Sequence, residues 1–298
     1  MPATPPQPGS PGRTPTRRVR VRRHDGAGHI GGRATLAIEE PLEIRVDGTV
    51  VATTMRTPGH DFDLALGFAI TDAGVDPSLV GGMSYCGVDA GEISPSTAAA
   101  DLAGPYAGGF NVVNVATRDG TGAPGQRRRL TPINSACGIC GADVIADLTT
   151  RARSVARDPM HLSEDTIAAI PRTARAAQHG FEATGATHAA AAFTADGVLQ
   201  VLREDVGRHN AVDKVIGALA TRDGLPATGH VLFTSGRVAF EIVAKALIGG
   251  FAAVVAVSAP TSLAVSTAEA GGLTLVGFAR DEVFTVYSRA DRIDAPAA

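Results

Sequence analysis

Cysteine is scarce in this chain: Cys86, Cys137 and Cys140 are the only three in 298 residues, too few and too odd in number for the disulfide framework of a secreted domain. No apolar run approaches the roughly 20 residues of a membrane span, and the N-terminal stretch lacks the roughly 7–15-residue apolar core of a signal peptide. A cytoplasmic protein without a membrane segment is the expectation. Lysine is nearly absent, with 25 Arg against Lys214 and Lys245 alone. Glycine and proline together make 53 residues, below the roughly 25–30% that marks a disordered chain. Most of the chain also lacks a basic surplus. Residues 1–33 carry seven Arg and one acid, Asp25, a net of +6, so the overall −3 leaves −9 on the remainder. An acidic body argues against wholesale binding of a nucleic-acid backbone and leaves room for local anion pockets.

What remains is a globular chain with the length of about two domains. The Pro- and Arg-rich residues 1–33 read as a disordered leader, since prolines at positions 2, 5, 6, 8, 11 and 15 oppose a helix. Residues 34–136 read as a smaller α+β domain. Apolar residues alternate over 42–46 and 49–55 around Asp47-Gly48, a strong hairpin signal. Phe62, Leu66, Ala69 and Ile70 then recur at helical spacing up to Gly74, and strands are expected near Met83 and over 110–116. Residues 137–160 read as a CxxC loop followed by a helix marked by Val144, Ile145, Leu148 and Val155. A further helix over 163–179 has Ser163 as N-cap, with Glu164 and Asp165 in its first turn. From residue 188 a hairpin around Asp196-Gly197 opens a series of helices over 210–221, 238–248 and 262–270. These alternate with strands over 230–234, 252–258, 273–278 and 283–287. This ββαβαβαββ order predicts a largely parallel sheet covered on both faces, a three-layer α/β/α unit over residues 161–298.

Cys137-Gly138-Ile139-Cys140 stands at or just before the start of a predicted helix, where free amides and the macrodipole lower a thiol pKa. Asp143 opposes that effect. The motif alone leaves three readings open: reactive sulfur, half of a metal site with Cys86, or a buried structural pair. A deaminase-type zinc site requires His or Cys followed two residues on by Glu, with Pro before the CxxC. No His or Cys here has that Glu, and Ala136 stands in the proline's place, so zinc-dependent deamination is excluded.

Glu204 to Asn210, followed by Asp213 and Lys214, form a dense polar run between a predicted strand and helix. Capping and surface ion pairs would account for such a run; its density favours a site that includes Arg208 and His209. Ser235-Gly236-Arg237 joins a strand to a helix, the layout of an anion cradle, and Ser258 to Ser262 repeats it on the next strand. Phe278, Ala279, Arg280, Asp281, Glu282 and Val283 turn between the last two strands, where Arg280 could reach a nucleotide.

In order along the chain, Glu40-Pro41-Leu42, Met55-Arg56-Thr57-Pro58, Cys137 to Gly141, Glu204 to Lys214, Ser235-Gly236-Arg237 and Ser258 to Leu263 resemble the formate dehydrogenase accessory sulfurtransferases of the FdhD/NarQ family. The resemblance spans about residues 39–289. It implies a cytidine-deaminase-like α/β/α domain joined to a smaller α+β domain, in a homodimer. It also implies a persulfide carrier that holds no metal itself. In that scheme a cysteine desulfurase loads sulfur onto Cys137, with Cys140 assisting. The sulfur then passes to the molybdenum of a bis-guanine-dinucleotide cofactor before that cofactor enters the formate dehydrogenase catalytic subunit. The family's cofactor stretch maps onto Phe278 to Val283, where Asp281-Glu282 is more acidic than the family's Gly-rich pattern. Ser235, Gly236, Arg237, Arg208 and His209 suit the cofactor's pyrophosphates.

Overall fold

A computed structural model of the chain describes residues 14–26, 28–86, 111–120, 122 and 149–294. The first elements already depart from the expected leader over 1–33, because residues 16–33 belong to a hairpin. Strands β1 (Thr16–His24) and β2 (His29–Ala37) pair antiparallel from Thr16 opposite Ala37 to His24 opposite His29. Arg and Val alternate along β1, and an Asp25-Gly26 turn closes it, with Gly26 at φ 88° and Gly28 donating its N–H to Asp25 Oδ1 at 3.1 Å. A Pro/Arg-rich composition conceals that period-two pattern.

Strands β3 (Glu40–Val46) and β4 (Thr49–Arg56) form the hairpin expected around Asp47-Gly48. Helix α1 (Asp61–Thr71) and strands β5 (Val80–Tyr85) and β6 (Val112–Thr117) follow. The four strands make a sheet in the order β4-β3-β6-β5, in which β3 and β6 are parallel. Leu42, Ile44, Val113 and Val115 bury themselves against Leu64, Phe68 and Ile70 of α1.

Residues 149–151 are helical, but Val155, expected on the same helix, lies beyond it in a loop. Its side chain joins the main core while its N–H bonds Gly271 O at 2.9 Å. The short strand β7 (Leu162–Ser163) leads into α2 (Glu164–Ala176), whose N-cap Ser163 accepts from Thr166 N as expected. Next come α3 (His179–Thr184), β8 (His188–Thr194), β9 (Leu199–Asp205), α4 (Arg208–Ala220), β10 (His230–Thr234), α5 (Phe240–Gly249) and β11 (Ala253–Ala256). Helix α6 (Ser262–Gly271), β12 (Thr274–Arg280), β13 (Val283–Ser288) and β14 (Ile293–Asp294) complete the chain, and β14 pairs with β7.

The large sheet runs β13-β12-β11-β10-β8-β9. Only β10, β11 and β12 are mutually parallel neighbours, so the largely parallel sheet read from the sequence is corrected to a mixed one. Tight turns at Asp196-Gly197 and Asp281-Glu282 impose antiparallel pairing on both outer hairpins. Helices cover both faces. Ile167, Ile170 and Ala174 of α2 pack with Phe193, Phe233 and Val255, whereas Val215, Val243 and Ala268 of α4, α5 and α6 pack with Leu232, Val254 and Leu275. Neighbours such as Leu232 and Phe233 therefore enter opposite cores, which makes each central strand apolar throughout.

Helix α1 crosses α4 at backbone contact distance. A Cβ placed on Gly67 would lie 1.9 Å from Asp213 O, and one on Gly217 would lie 1.9 Å from Asp63 O. This crossing fixes the small sheet against the large one.

Candidate functional site

Strands β10, β11 and β12 end at one edge of the large sheet, where β9 also ends and β8 begins. The edge therefore gathers His188, Asp205, the turn Ser235 to Arg237, Val257-Ser258 and the end of β12. Loops at such carboxyl ends are where open α/β sheets build sites. Backbone bonds lace these loops together: Val257 N donates to Thr234 O and Phe278 N to Ser258 O, each at 3.2 Å. Ser235 belongs to this scaffold, because its Oγ accepts from Ala189 N at 2.9 Å.

A cavity of about 770 Å³ opens at this edge, walled by α2, α3 and the β12–β13 turn. Ser235, Ala279, Arg280 and Asp281 line it, as do Arg172, Arg175, Phe181 and His188, which the sequence reading passed over. Spacing of i, i+3 on the helix that begins at Ser163 was the available signal for Arg172 and Arg175. Arg175 lies over the Phe181 ring, 4.8 Å from its centroid. Nothing local marked Phe181 or His188.

The β12–β13 turn combines the expected hairpin with an irregular shape. Its register shifts between Gly277 and Arg280, and Phe278 takes φ 52°, a strained conformation for a bulky residue. Gly277 permits this, since a Cβ there would lie 2.9 Å from Pro260 Cδ. The bulge buries Ala279 and leaves the Phe278 ring 44% exposed. Arg280 is held over the end of β11 by its Nε donating to Val257 O at 3.2 Å. Glu282 and Val283 face solvent and do not line the cavity.

Arg208, Gly236 and Arg237 group beside Ser235 and outside the cavity lining, while His209, next on α4, is buried near Lys245, Glu241 and Asp72. A Cβ on Gly236 would stand 3.2 Å from Arg208 Cδ and 3.4 Å from His188 Nδ1, so the glycine lets those side chains close on the turn. Arg208 Nε and His209 Nε2 are buried without a hydrogen-bond partner among the described residues. Burial, then the like charge of Arg237, holds Arg208 below its ordinary value. Burial, aided by the cations of Lys245 and Arg208, pushes His209 down to about 4, and burial with Arg208 also lowers His188. Both imidazoles are thus neutral at pH 7.

The rest of the polar run from Glu204 to Lys214 is interior framework. Glu204 accepts the N–H groups of Gly180 and Phe181 at 2.6 and 2.7 Å. Asp205 accepts from Thr57 N, Gly207 N and Asn210 Nδ2, and pairs with Lys214. Asn210 also donates to Met55 O at 2.7 Å, and Asp213 binds Lys245 at 2.7 Å. Met55-Arg56-Thr57-Pro58 and the distant run are therefore two halves of one buried polar seam. Arg56, wholly buried, pairs there with Asp61 and Glu40.

Cys137 and Cys140 lie outside the described residues. Cys86, weighed as a metal partner of the pair, is half-buried, and its N–H bonds Val112 O at 3.0 Å. Among the described residues, no helix is long and apolar enough to cross a membrane, and no group of three or more His, Cys, Asp or Glu could hold a metal ion.

The model of the FdhD/NarQ family matches residues 37–294, which take in every element of the edge just described. The chain belongs to the FdhD/NarQ family. Among similar proteins, the sulfur carrier protein FdhD of Mycobacterium tuberculosis is 45% identical over 264 residues, covering 87% of this chain and 91% of that protein. The sulfur carrier protein FdhD of Streptomyces coelicolor is 42% identical over 292 residues, covering 96% and 98%. A crystal structure of a candidate formate dehydrogenase accessory protein from Desulfotalea psychrophila superposes with a TM-score of 0.71 at 20% identity, over 94% of this chain and 100% of that one. At that identity the likeness establishes a shared α/β fold. Strand β1 and all of β2 but Ala37 precede the span matched by the FdhD/NarQ model.

Proposed function

We propose that this FdhD/NarQ protein carries sulfur for a formate dehydrogenase. Cys137 receives sulfur from a cysteine desulfurase and delivers it to the molybdenum of a bis-guanine-dinucleotide cofactor, the substrate, before that cofactor enters the dehydrogenase catalytic subunit. The carrier acts in the cytoplasm as a homodimer, on a cytidine-deaminase-like scaffold that keeps helices on both sheet faces and holds no metal of its own. In the loading step the Cys137 thiolate attacks the outer sulfur of the donor persulfide. The donor's S–S bond breaks, a new one forms on Cys137, and the donor cysteine leaves as thiolate. Cys140 assists as the second thiol of the loop.

The observation that carries this reading is the guanidinium of Arg208, whose buried Nε has no hydrogen-bond partner among the described residues, grouped with Arg237 beside a cavity lined by Arg280. Buried polar groups are ordinarily bonded, and an exception calls for an explanation, such as a water or ion partner. Phosphate oxygens supply one, and the guanidinium forks of Arg208, Arg237 and Arg280 match them. A volume of about 770 Å³ accommodates one guanine-nucleotide arm of the substrate, with Phe181 offering an aromatic face and Asp281 an acceptor for the base. The acidic Asp281 is compatible with binding when it meets the base and the arginines meet the pyrophosphate.

Incubation with desulfurase and cysteine, followed by peptide mass spectrometry, should show a 32-dalton adduct on Cys137, and Cys137→Ala should abolish rescue of formate dehydrogenase. An unmodified Cys137 together with full rescue by the alanine variant would overturn the proposal.

A further inference from the structure

Gln178 joins α2 to α3 and lines the large cavity together with Arg175 and Phe181, three residues to either side of it. Only 5% of the residue is exposed. It is the N-cap of α3, a position whose side chain ordinarily accepts from the second or third N–H of the helix. Gln178 makes no capping bond, because Glu204 of β9 already holds both of those groups. The Glu204 carboxylate accepts from Gly180 N at 2.6 Å, from Phe181 N at 2.7 Å and from Thr187 Oγ1 at 2.8 Å. Gly180 makes room for it, since a Cβ there would stand 3.0 Å from Glu204 Oε2. The Gln178 amide is thereby left without a hydrogen-bond partner among the described residues, and neither of its polar atoms is sealed from solvent. A nearly buried amide with a free donor and a free acceptor on a cavity wall calls for a water or a ligand.

We propose, resting on the sulfur-carrier reading in which this cavity takes a guanine-nucleotide arm, that Gln178 determines base specificity, its Nε2 donating to O6 of guanine. The polar lining sorts by charge and depth. Arg172, Arg175, Arg280 and Asp281 are exposed, whereas Gln178, like Phe233 and Ala279 of the same lining, is buried. Exposed guanidinium forks suit a pyrophosphate, which stays partly hydrated, and a neutral amide among apolar walls suits a base. The pairing edge of guanine sets one acceptor, O6, beside two donors, N1–H and the 2-amino group. The Asp281 carboxylate matches the donors, and the Gln178 amide matches O6. Adenine has an amino group in place of O6 and a bare N1 in place of N1–H, so its N1 lone pair would meet a carboxylate that only accepts. A site built to hydrogen-bond its ligand rejects one that leaves its buried polar groups unpaired.

Calorimetric titration of the full chain, Gln178→Leu and Gln178→Glu with GDP, ADP and inorganic pyrophosphate is the test. Leucine removes both polar atoms, and glutamate keeps the shape but offers only acceptors. The wild-type chain should favour GDP over ADP by at least about tenfold, and either variant should reduce that preference by about tenfold. Pyrophosphate affinity of Gln178→Leu should stay within about twofold of wild type, because the arginines are untouched. Added charge in Gln178→Glu acts on both nucleotides alike, so the GDP-to-ADP ratio still reports the base contact. A purely structural role for Gln178 would lower every ligand together and leave the ratio unchanged. Equal wild-type affinity for GDP and ADP, or a ratio unchanged in both variants, would overturn the proposal while leaving a nucleotide in the cavity. Failure of the wild-type chain to bind GDP at all would overturn it together with the reading of the cavity as a nucleotide site.

Discussion

The ammonium of Lys214 lies 2.7 Å from Oδ2 of Asp205, with both side chains almost wholly out of solvent, and both groups also bind the backbone of Thr57. Lys214 donates to Thr57 O at 2.9 Å while Asp205 accepts from Thr57 N at 3.1 Å. One ion pair thus clamps the loop after β4 to the end of β9. Lys214→Met would strand a buried carboxylate, and breaking such a pair typically costs about 3–5 kcal/mol. Urea denaturation should show that loss, with nucleotide affinity of the folded fraction unchanged. A stability change below about 1 kcal/mol would contradict the clamp.

The crossing of α1 and α4 makes a second prediction. Gly67→Ala puts a methyl 1.9 Å from Asp213 O, a backbone atom that cannot rotate aside, so the helices must separate. Overpacking of this kind costs about 1–3 kcal/mol or more. Gly217→Ala should cost a similar amount at the same crossing. Because either methyl alone already forces the helices apart, the double variant should lose less than the sum of the two. Thermal denaturation of the three variants measures this, and strict additivity would show that the two contacts are independent.

Periodicity and turn chemistry made most of this architecture legible. Strand β10 falls on the expected residues 230–234, and the Asp47-Gly48 and Asp196-Gly197 turns close real hairpins. The Asp25-Gly26 turn carried the same signal but was masked by composition, since Arg and Pro suggest disorder unless the alternating valines are counted. The outer hairpins followed from those turns; the insertion of β8, antiparallel, between β9 and β10 left no such local signal. At the site, Arg280 and Asp281 were legible because a short turn must display its residues. The run from Glu204 to Lys214 misled in part, since charge density looks the same whether carboxylates meet a ligand or a distant backbone. Only the structure separates Asp205, satisfied by Thr57, Gly207 and Lys214, from Arg208 and His209, each with a buried nitrogen that lacks a partner among the described residues. Arg172 and Arg175 become site residues only when α2 is laid across the sheet edge.

Histidine 209 sets a pH dependence whose sign follows from its environment. Its folded pKa is held at about 4, below the ordinary 6.5, by burial and the neighbouring cations Lys245 and Arg208. Between those values the unfolded chain binds a proton that the folded chain refuses, so stability falls as pH drops below about 6.5. Asp213, raised to about 6 by burial, acts in the opposite direction between about 4 and 6 and partly masks the effect in the wild-type protein. Comparison with His209→Gln isolates it. Acidification from pH 7 to 4.5 should cost the wild-type chain roughly 2–3 kcal/mol more than the variant. Parallel stability curves for the two proteins would show that the imidazole titrates normally.

Arg280 offers the sharpest separation of binding from sulfur chemistry. Its guanidinium is fixed at the cavity mouth through Val257 O, whereas Ser235 spends its hydroxyl on Ala189 N. Arg280→Ala should therefore weaken GDP binding at least tenfold, the typical effect of losing a charge-assisted contact worth about 1.5–3 kcal/mol. Ser235→Ala acts on the β8–β10 junction and should lower stability more than affinity. Cys137→Ala, which removes the sulfur carrier but none of these contacts, should bind GDP as the wild type does. Calorimetric titration of the three variants distinguishes the outcomes. Equal affinity in wild type and Arg280→Ala would move the nucleotide away from this cavity, and loss of binding in Cys137→Ala would make the thiol part of the pocket.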